Sequence, residues 1–98
     1  MRIEIKHPRR LSEIFKDVTG VHLENPLTGI STDSRECGAG DLYVAIVGNQ
    51  QNGHNFLHDA ISRGAVAALV SEKSNHNNFQ EIIVKDPTYT IGEIAKKW

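Results

Sequence analysis

An α/β domain, layered around a parallel or mixed sheet of about five strands flanked by helices, is the fold this sequence predicts. Three observations carry that prediction. Residues 42–47 read LYVAIV and residues 66–70 read VAALV, nearly all-apolar runs of the kind that strands buried on both faces require. Leu11, Ile14, Phe15 and Val18, and again Phe56, Leu57, Ala60 and Ile61, are spaced to form one side of a helix. The second half of the chain therefore runs strand, helix, strand, strand, helix, an alternation that builds a layered sheet with helical crossovers.

Residues 2–6, RIEIK, alternate charged and apolar, the period of a short strand. His7-Pro8 breaks that run, and proline suits the first turn of the helix that follows, which ends at Thr19-Gly20. Residues 21–25 make an irregular or short extended link, closed by Pro26. Residues 27–32 form a strand, favoured by the β-branched Ile30 and Thr32, and residues 38–41 a turn. After the strand at 42–47, Gly48 stops the run and a polar loop covers 49–53. A helix over 54–63 ends at Gly64, which supplies a left-handed stop. Beyond the strand at 66–70, residues 71–80 are polar and Asn-rich, a surface loop. Residues 81–85 form a strand around Ile82, Ile83 and Val84, and Asp86-Pro87 turns the chain. In the last helix Thr90 and Glu93 match a capping box, with Ile91, Ile94, Ala95 and Trp98 on its apolar side.

The 98 residues make one domain, with 39% hydrophobic and 23% charged residues and a formal net charge of −1. That balance argues against a nucleic-acid partner, which needs clustered Lys and Arg. The one basic cluster, Lys6, Arg9 and Arg10, reads as the solvated start of a helix. A single cysteine, Cys37, excludes an internal disulfide and a cysteine-based zinc site, and fits a reducing compartment. There is neither the apolar core of a signal peptide nor an apolar run of about 20 residues. A cytoplasmic domain with no membrane partner is expected.

Polar groups crowd the ends of two apolar runs. Thr32, Asp33, Ser34 and Arg35 follow one; Asn49, Gln50, Gln51 and Asn52 follow the other. In open α/β sheets ligands sit at the carboxyl ends of strands, where both clusters lie. No GxxxxGK[ST] or GxGxxG pattern is present, so the sequence shows no machinery for ATP. His54 and His58, four apart, could share a helix face, but zinc needs a third ligand. Asp33, Ser34 and a histidine could suggest a nucleophilic triad, although adjacent side chains of an extended segment point to opposite faces. Asp33-Ser34-Arg35 is also what a plain turn looks like, with Asp33 accepting backbone N–H bonds. The uncharged amides of 49–52 both donate and accept, and so match the acceptor–donor–acceptor edge of a uracil without the cost of desolvating a charge. A solvated loop would have the same composition.

ISTDSR at 30–35, GDLYVAIVGNQQNGHNFLHDAISRGAVAALVSE at 40–72 and IIVKDP at 82–87 together resemble the N-terminal domain of the Mur ligases. These ATP-dependent enzymes add amino acids to the peptide of the bacterial cell-wall precursor. The resemblance is strongest over 29–72 and weak before Leu27. It is nearest to members that add the third peptide residue, and members that add D-alanyl-D-alanine have a similar first domain. It implies that residues 1–98 are a single N-terminal domain anchoring the UDP moiety of a UDP-N-acetylmuramoyl (UDP-MurNAc) peptide. Carried over, Thr32, Ser34, Asn49, Gln50 and Gln51 hold that moiety, while Asp33 and Arg35 shape the strand end. Two departures are Glu36-Cys37-Gly38-Ala39-Gly40, where a basic, Pro-containing turn is usual, and Asn52, where Asp often precedes Gly-His. The resemblance further implies that the central ATP-binding and C-terminal domains, with the ATP and Mg2+ of the parent enzyme, lie outside these residues. No cofactor is then expected in this domain, and the chain is not expected to catalyse ligation alone. The alternative is an interaction or regulatory module that has kept the fold without nucleotide binding.

Overall fold

The computed structural model describes residues 1–74, 76 and 79–98. Among these residues five strands form one sheet in sequential order: β1 (Arg2–Glu4), β2 (Gly29–Ser31), β3 (Asp41–Val44), β4 (Ala67–Val70) and β5 (Gln80–Ile83). β1 pairs antiparallel with β2, and the other pairings are all parallel, so the sheet is mixed. Among the described residues three α-helices accompany it: α1 (Pro8–Thr19), α2 (Leu57–Ser62) and α3 (Pro87–Lys97).

The two apolar runs behave as strands buried on both faces. Every residue of β3 and of β4 is buried. Alternate side chains serve different cores, as strand geometry requires. Leu42, Val44, Ala67, Leu69 and Ile82 pack with Leu11, Ile14 and Phe15 of α1 and Ile94 of α3. Tyr43, Ala45, Ala68 and Val70 pack with Leu57 and Ala60 of α2, together with Cys37 and Ala65. Phe15, fully buried, is worth about 1.5–3 kcal/mol on transfer from water. Helix α1 follows its sequence signals: proline opens it, and Gly20 closes it at φ 74° with its N–H on the Lys16 carbonyl.

Several boundaries differ from expectation. Strand β3 ends at Val44, not at residue 47. Val47 is exposed and forms an isolated antiparallel bridge to Asn52, because the chain doubles back there. The helix expected over 54–63 begins as a 3₁₀ turn, Gly53–Phe56, and becomes α-helical only at Leu57. Helix α3 is capped not by Thr90 but by Asp86, whose carboxylate accepts the N–H groups of Thr88 and Tyr89. The Asp-Pro pair combines a side-chain acceptor with a proline preset for the first turn. Thr90 is instead buried inside the helix, Ala95 is exposed, and Trp98 lies beyond the helix with Arg10 over its ring. The surface loop expected over 71–80 includes residues 75, 77 and 78, which lie outside the described residues, and Gln80 already belongs to β5.

A buried charge ties β1 to the sheet. Asp41 is fully enclosed and accepts both Nε (2.7 Å) and Nη2 (2.9 Å) of Arg2, the Thr28 hydroxyl (2.9 Å) and the Gly38 N–H (2.9 Å). Burial alone would raise its pKa; these hydrogen bonds outweigh that and hold the carboxyl below its ordinary value. The pair crosses over Gly29, where an added Cβ would lie 2.6 Å from Arg2 Nη2 and 2.8 Å from Asp41 Oδ1. Among the described residues, no helix is long and apolar enough to cross a membrane.

Candidate functional site

Strand β2 ends at Ser31, whose buried hydroxyl donates to the Asp33 carbonyl (2.7 Å) and accepts the Asp33 N–H (3.1 Å). That bend releases the chain from the sheet. Asp33 then caps a 3₁₀ turn, Ser34–Glu36, by accepting the Arg35 N–H at 2.9 Å. The Arg35 guanidinium folds back onto the same carboxylate, through Nε (3.1 Å) and Nη2 (2.8 Å). These bonds, side chain first and backbone second, hold the half-buried Asp33 carboxyl down to about 2. Ser34, by contrast, is buried.

The neighbouring strand end is a hairpin rather than an open loop. Gly48 N–H donates to the Gln51 carbonyl (2.7 Å), Val47 bridges Asn52, and Gly53 N–H returns to the Ile46 carbonyl (2.8 Å). Gly53 packs so closely that a Cβ would lie 2.6 Å from the Ile46 nitrogen. The buried Tyr43 donates its hydroxyl to the Gly53 carbonyl at 2.7 Å, and burial first of all raises that phenol to about 12.

A cleft of about 730 Å³ opens between these two strand ends. Thr32, Asp33, Ser34 and Arg35 line one side, and Gly48, Gln51 and Gly53 the other. Met1, Tyr43, Ile46, Phe56 and Asp59 complete it. Of the residues singled out in the sequence, Thr32, Ser34 and Gln51 meet here, with Asp33 and Arg35 beside them. Asn49 and Gln50 do not line the cleft; they form the exposed tip of the hairpin.

Five lining residues were not singled out in the sequence: Met1, Tyr43, Ile46, Phe56 and Asp59. Tyr43 reads as part of an apolar run. Phe56 reads as the buried side of a helix, but a 3₁₀ turn has about three residues per turn, so the helical spacing fails there and the ring is 39% exposed. Asp59 sits on α2 with its carboxyl held below the ordinary range, first by the Ser34 hydroxyl and then by Arg63. The only sequence signal for it was its four-residue spacing from Arg63.

The cleft offers two hydroxyls, a neutral amide, apolar faces from Ile46 and Phe56, and carboxylates matched by Arg35 and Arg63. Such a lining suits a flat heterocycle with a polar edge. It does not assemble a nucleophilic triad: Asp33 is committed to Arg35, and no histidine lines the cleft. His54 and His58 do not pair either. His54 bonds Asn52 and Ser71, and His58 stacks on His76 at 6.3 Å. Among the described residues, no group of three or more His, Cys, Asp or Glu could hold a metal ion.

A family model, Mur ligase family, catalytic domain, matches residues 26–96. A curated relative, the UDP-N-acetylmuramoyl-tripeptide–D-alanyl-D-alanine ligase of Haemophilus influenzae, is 33% identical over 67 residues, which are 68% of this chain and 15% of the relative. The UDP-N-acetylmuramoyl-L-alanyl-D-glutamate–2,6-diaminopimelate ligase of Parabacteroides distasonis is 34% identical over 74 residues, covering 74% of this chain and 15% of the relative. Among solved structures, the UDP-N-acetylmuramoylalanyl-D-glutamyl-2,6-diaminopimelate–D-alanyl-D-alanyl ligase of Acinetobacter baumannii superposes with a TM-score of 0.78 at 21% identity, over 88% of this chain and 20% of that one. At that identity the superposition establishes the fold. The chain thus spans about 15% of the length of these curated relatives.

Proposed function

The chain belongs to the Mur ligase family, and from that premise we propose that its cleft anchors the UDP end of a UDP-MurNAc-peptide during peptidoglycan precursor synthesis. One observation carries the reading: hydroxyls from the end of β2 and an amide from beyond β3 line one cleft of about 730 Å³. Uracil presents acceptor, donor, acceptor along its edge, and the neutral groups of Thr32, Ser34 and Gln51 answer it without burying a charge. The ring face lies against Phe56 and Ile46. Asn49 and Gln50, at the hairpin tip, meet the parts of the ligand that project past the cleft. Asp33 and Arg35 hold the shape of the β2 end.

The curated relatives are named for different incoming groups, D-alanyl-D-alanine and 2,6-diaminopimelate, but for substrates that share the UDP-N-acetylmuramoyl end. The cleft would engage that shared end. We assign residues 1–98 to an N-terminal substrate-anchoring role, with ATP, Mg2+ and the incoming amino acid handled by further ligase domains in the cytoplasm.

An amide chemical-shift titration with UDP, UDP-MurNAc and ADP tests it. Shifts concentrated at 32–35 and 48–53 with both uridine ligands, and weaker with ADP, are expected. A spectrum unchanged at millimolar UDP-MurNAc overturns the reading in favour of a module that has kept the fold alone. An equal response to ADP removes base recognition.

A further inference from the structure

An imidazole ties the hairpin that carries Gln51 to the exit of β4. His54 Nδ1 lies 2.7 Å from Asn52 Oδ1, and His54 Nε2 lies 3.0 Å from the backbone nitrogen of Ser71. A backbone N–H can only donate, so Nε2 must carry a lone pair. The ring proton is then on Nδ1, where Asn52 Oδ1 accepts it. The identity of that amide oxygen is fixed independently, because the same atom accepts the His54 backbone N–H at 3.0 Å. Asn52 closes the hairpin opposite Val47, and Ser71 is the first residue past β4. The ring therefore joins the β3–α2 connection to the β4 exit.

We propose that His54 is a positioning residue: as the neutral Nδ1–H tautomer it pins the Gln51 hairpin to the end of β4, and protonation of the ring loosens that hairpin. A charged imidazole would point Nε2–H at the Ser71 N–H, two donors 3.0 Å apart, and they must separate. The Ser71 hydroxyl, 3.3 Å from Nε2, is the acceptor to which the ring can turn, so the loosening is a shift rather than a collapse. The titratable groups on the surrounding elements are His58 and Asp59 on α2, Arg63 just past it, Glu72 and Lys73 beyond β4, and Lys85 and Asp86, which line a second cleft with Ser71. Asp59 is paired with Arg63, and none of the seven bonds the ring.

The consequence for ligand binding rests on the function proposed above, so the test has two arms. Long-range proton–nitrogen spectra of the 98-residue chain at pH 8 should show His54 with Nδ1 protonated and Nε2 bare; the opposite tautomer overturns the inference whatever the chain binds. UDP is then titrated at pH 8 and pH 5, the range over which imidazoles charge. The loss of one hydrogen bond should weaken binding roughly threefold to tenfold at the lower pH. His54→Gln, which cannot charge, controls for titration of UDP itself and should show no such excess loss. Equal pH dependence in the two chains overturns the inference. If the wild-type chain ignores UDP at pH 8, the proposed function falls instead. The amides of 48–53 then decide the positioning role: they either move with the His54 titration, as expected, or stay fixed and overturn it.

Discussion

The Tyr43 hydroxyl donates a 2.7 Å hydrogen bond to the Gly53 carbonyl, so a phenol buried in β3 holds the base of the hairpin that supplies Gln51 to the cleft. Tyr43→Phe removes the donor and leaves the ring. A buried carbonyl without its partner costs about 1–3 kcal/mol, so the urea midpoint should fall and the amides of 48–53 should exchange faster. A variant with wild-type stability and unchanged exchange at those amides would remove Tyr43 from this role.

Asp41 has a depressed folded pKa, and that fixes the sign of its pH dependence. Its contribution is fully present above the unfolded value of about 3.9 and is lost as pH falls through the folded value. Asp41→Asn replaces an acceptor by an amide N–H group facing the donors of Arg2. At pH 7 the variant should melt roughly 5–10 °C below the wild type. The gap should narrow as pH falls below about 4. A gap that stays constant down to pH 2 would show that the charge of Asp41 is not what stabilises the β1 attachment.

Asp33 should remain ionised until about pH 2, because Arg35 holds it there. A carboxyl-carbon NMR titration reads this directly. In Arg35→Ala the midpoint should move up toward the ordinary carboxylate value of about 3.9. An unmoved midpoint contradicts the pairing. Since Asp33 does not change charge between pH 8 and pH 5, it is not the source of any loss of UDP affinity over that range.

Ser34→Ala and Gln51→Ala should each weaken UDP binding by roughly threefold to tenfold, the worth of one hydrogen bond. Asn49→Ala and Gln50→Ala should matter less, because both side chains stand at the exposed tip of the hairpin. Isothermal titration of the four variants separates these outcomes. Binding lost at the tip but not at Ser34 and Gln51 would place the ligand outside the cleft.

Much of the fold was legible in sequence because burial is written in composition. LYVA and AALV can be stable only when covered on both sides, and both strands are fully buried. Helix α1 was legible from its period, its proline and its glycine. The misread stretches are those where a local signal met a competing contact. Ile46-Val47 continues an apolar run, but the return of the chain at Gly53 pulls it out of the sheet. Thr90 and Glu93 carry capping-box spacing, but Asp86 reaches the free N–H groups first.

The same division runs through the site. Residue order alone puts a polar cluster after each of two strands, because that placement is local to the chain. Folding is what brings Thr32, Ser34 and Gln51 into one cleft with Tyr43, Phe56 and Asp59, while Asn49 and Gln50 turn away. The parallel pairing of β2 with β3 sets their ends side by side, and a hairpin two residues wide at its tip sorts neighbouring amides to different surroundings. Neither relation is local, so no window of sequence contains it.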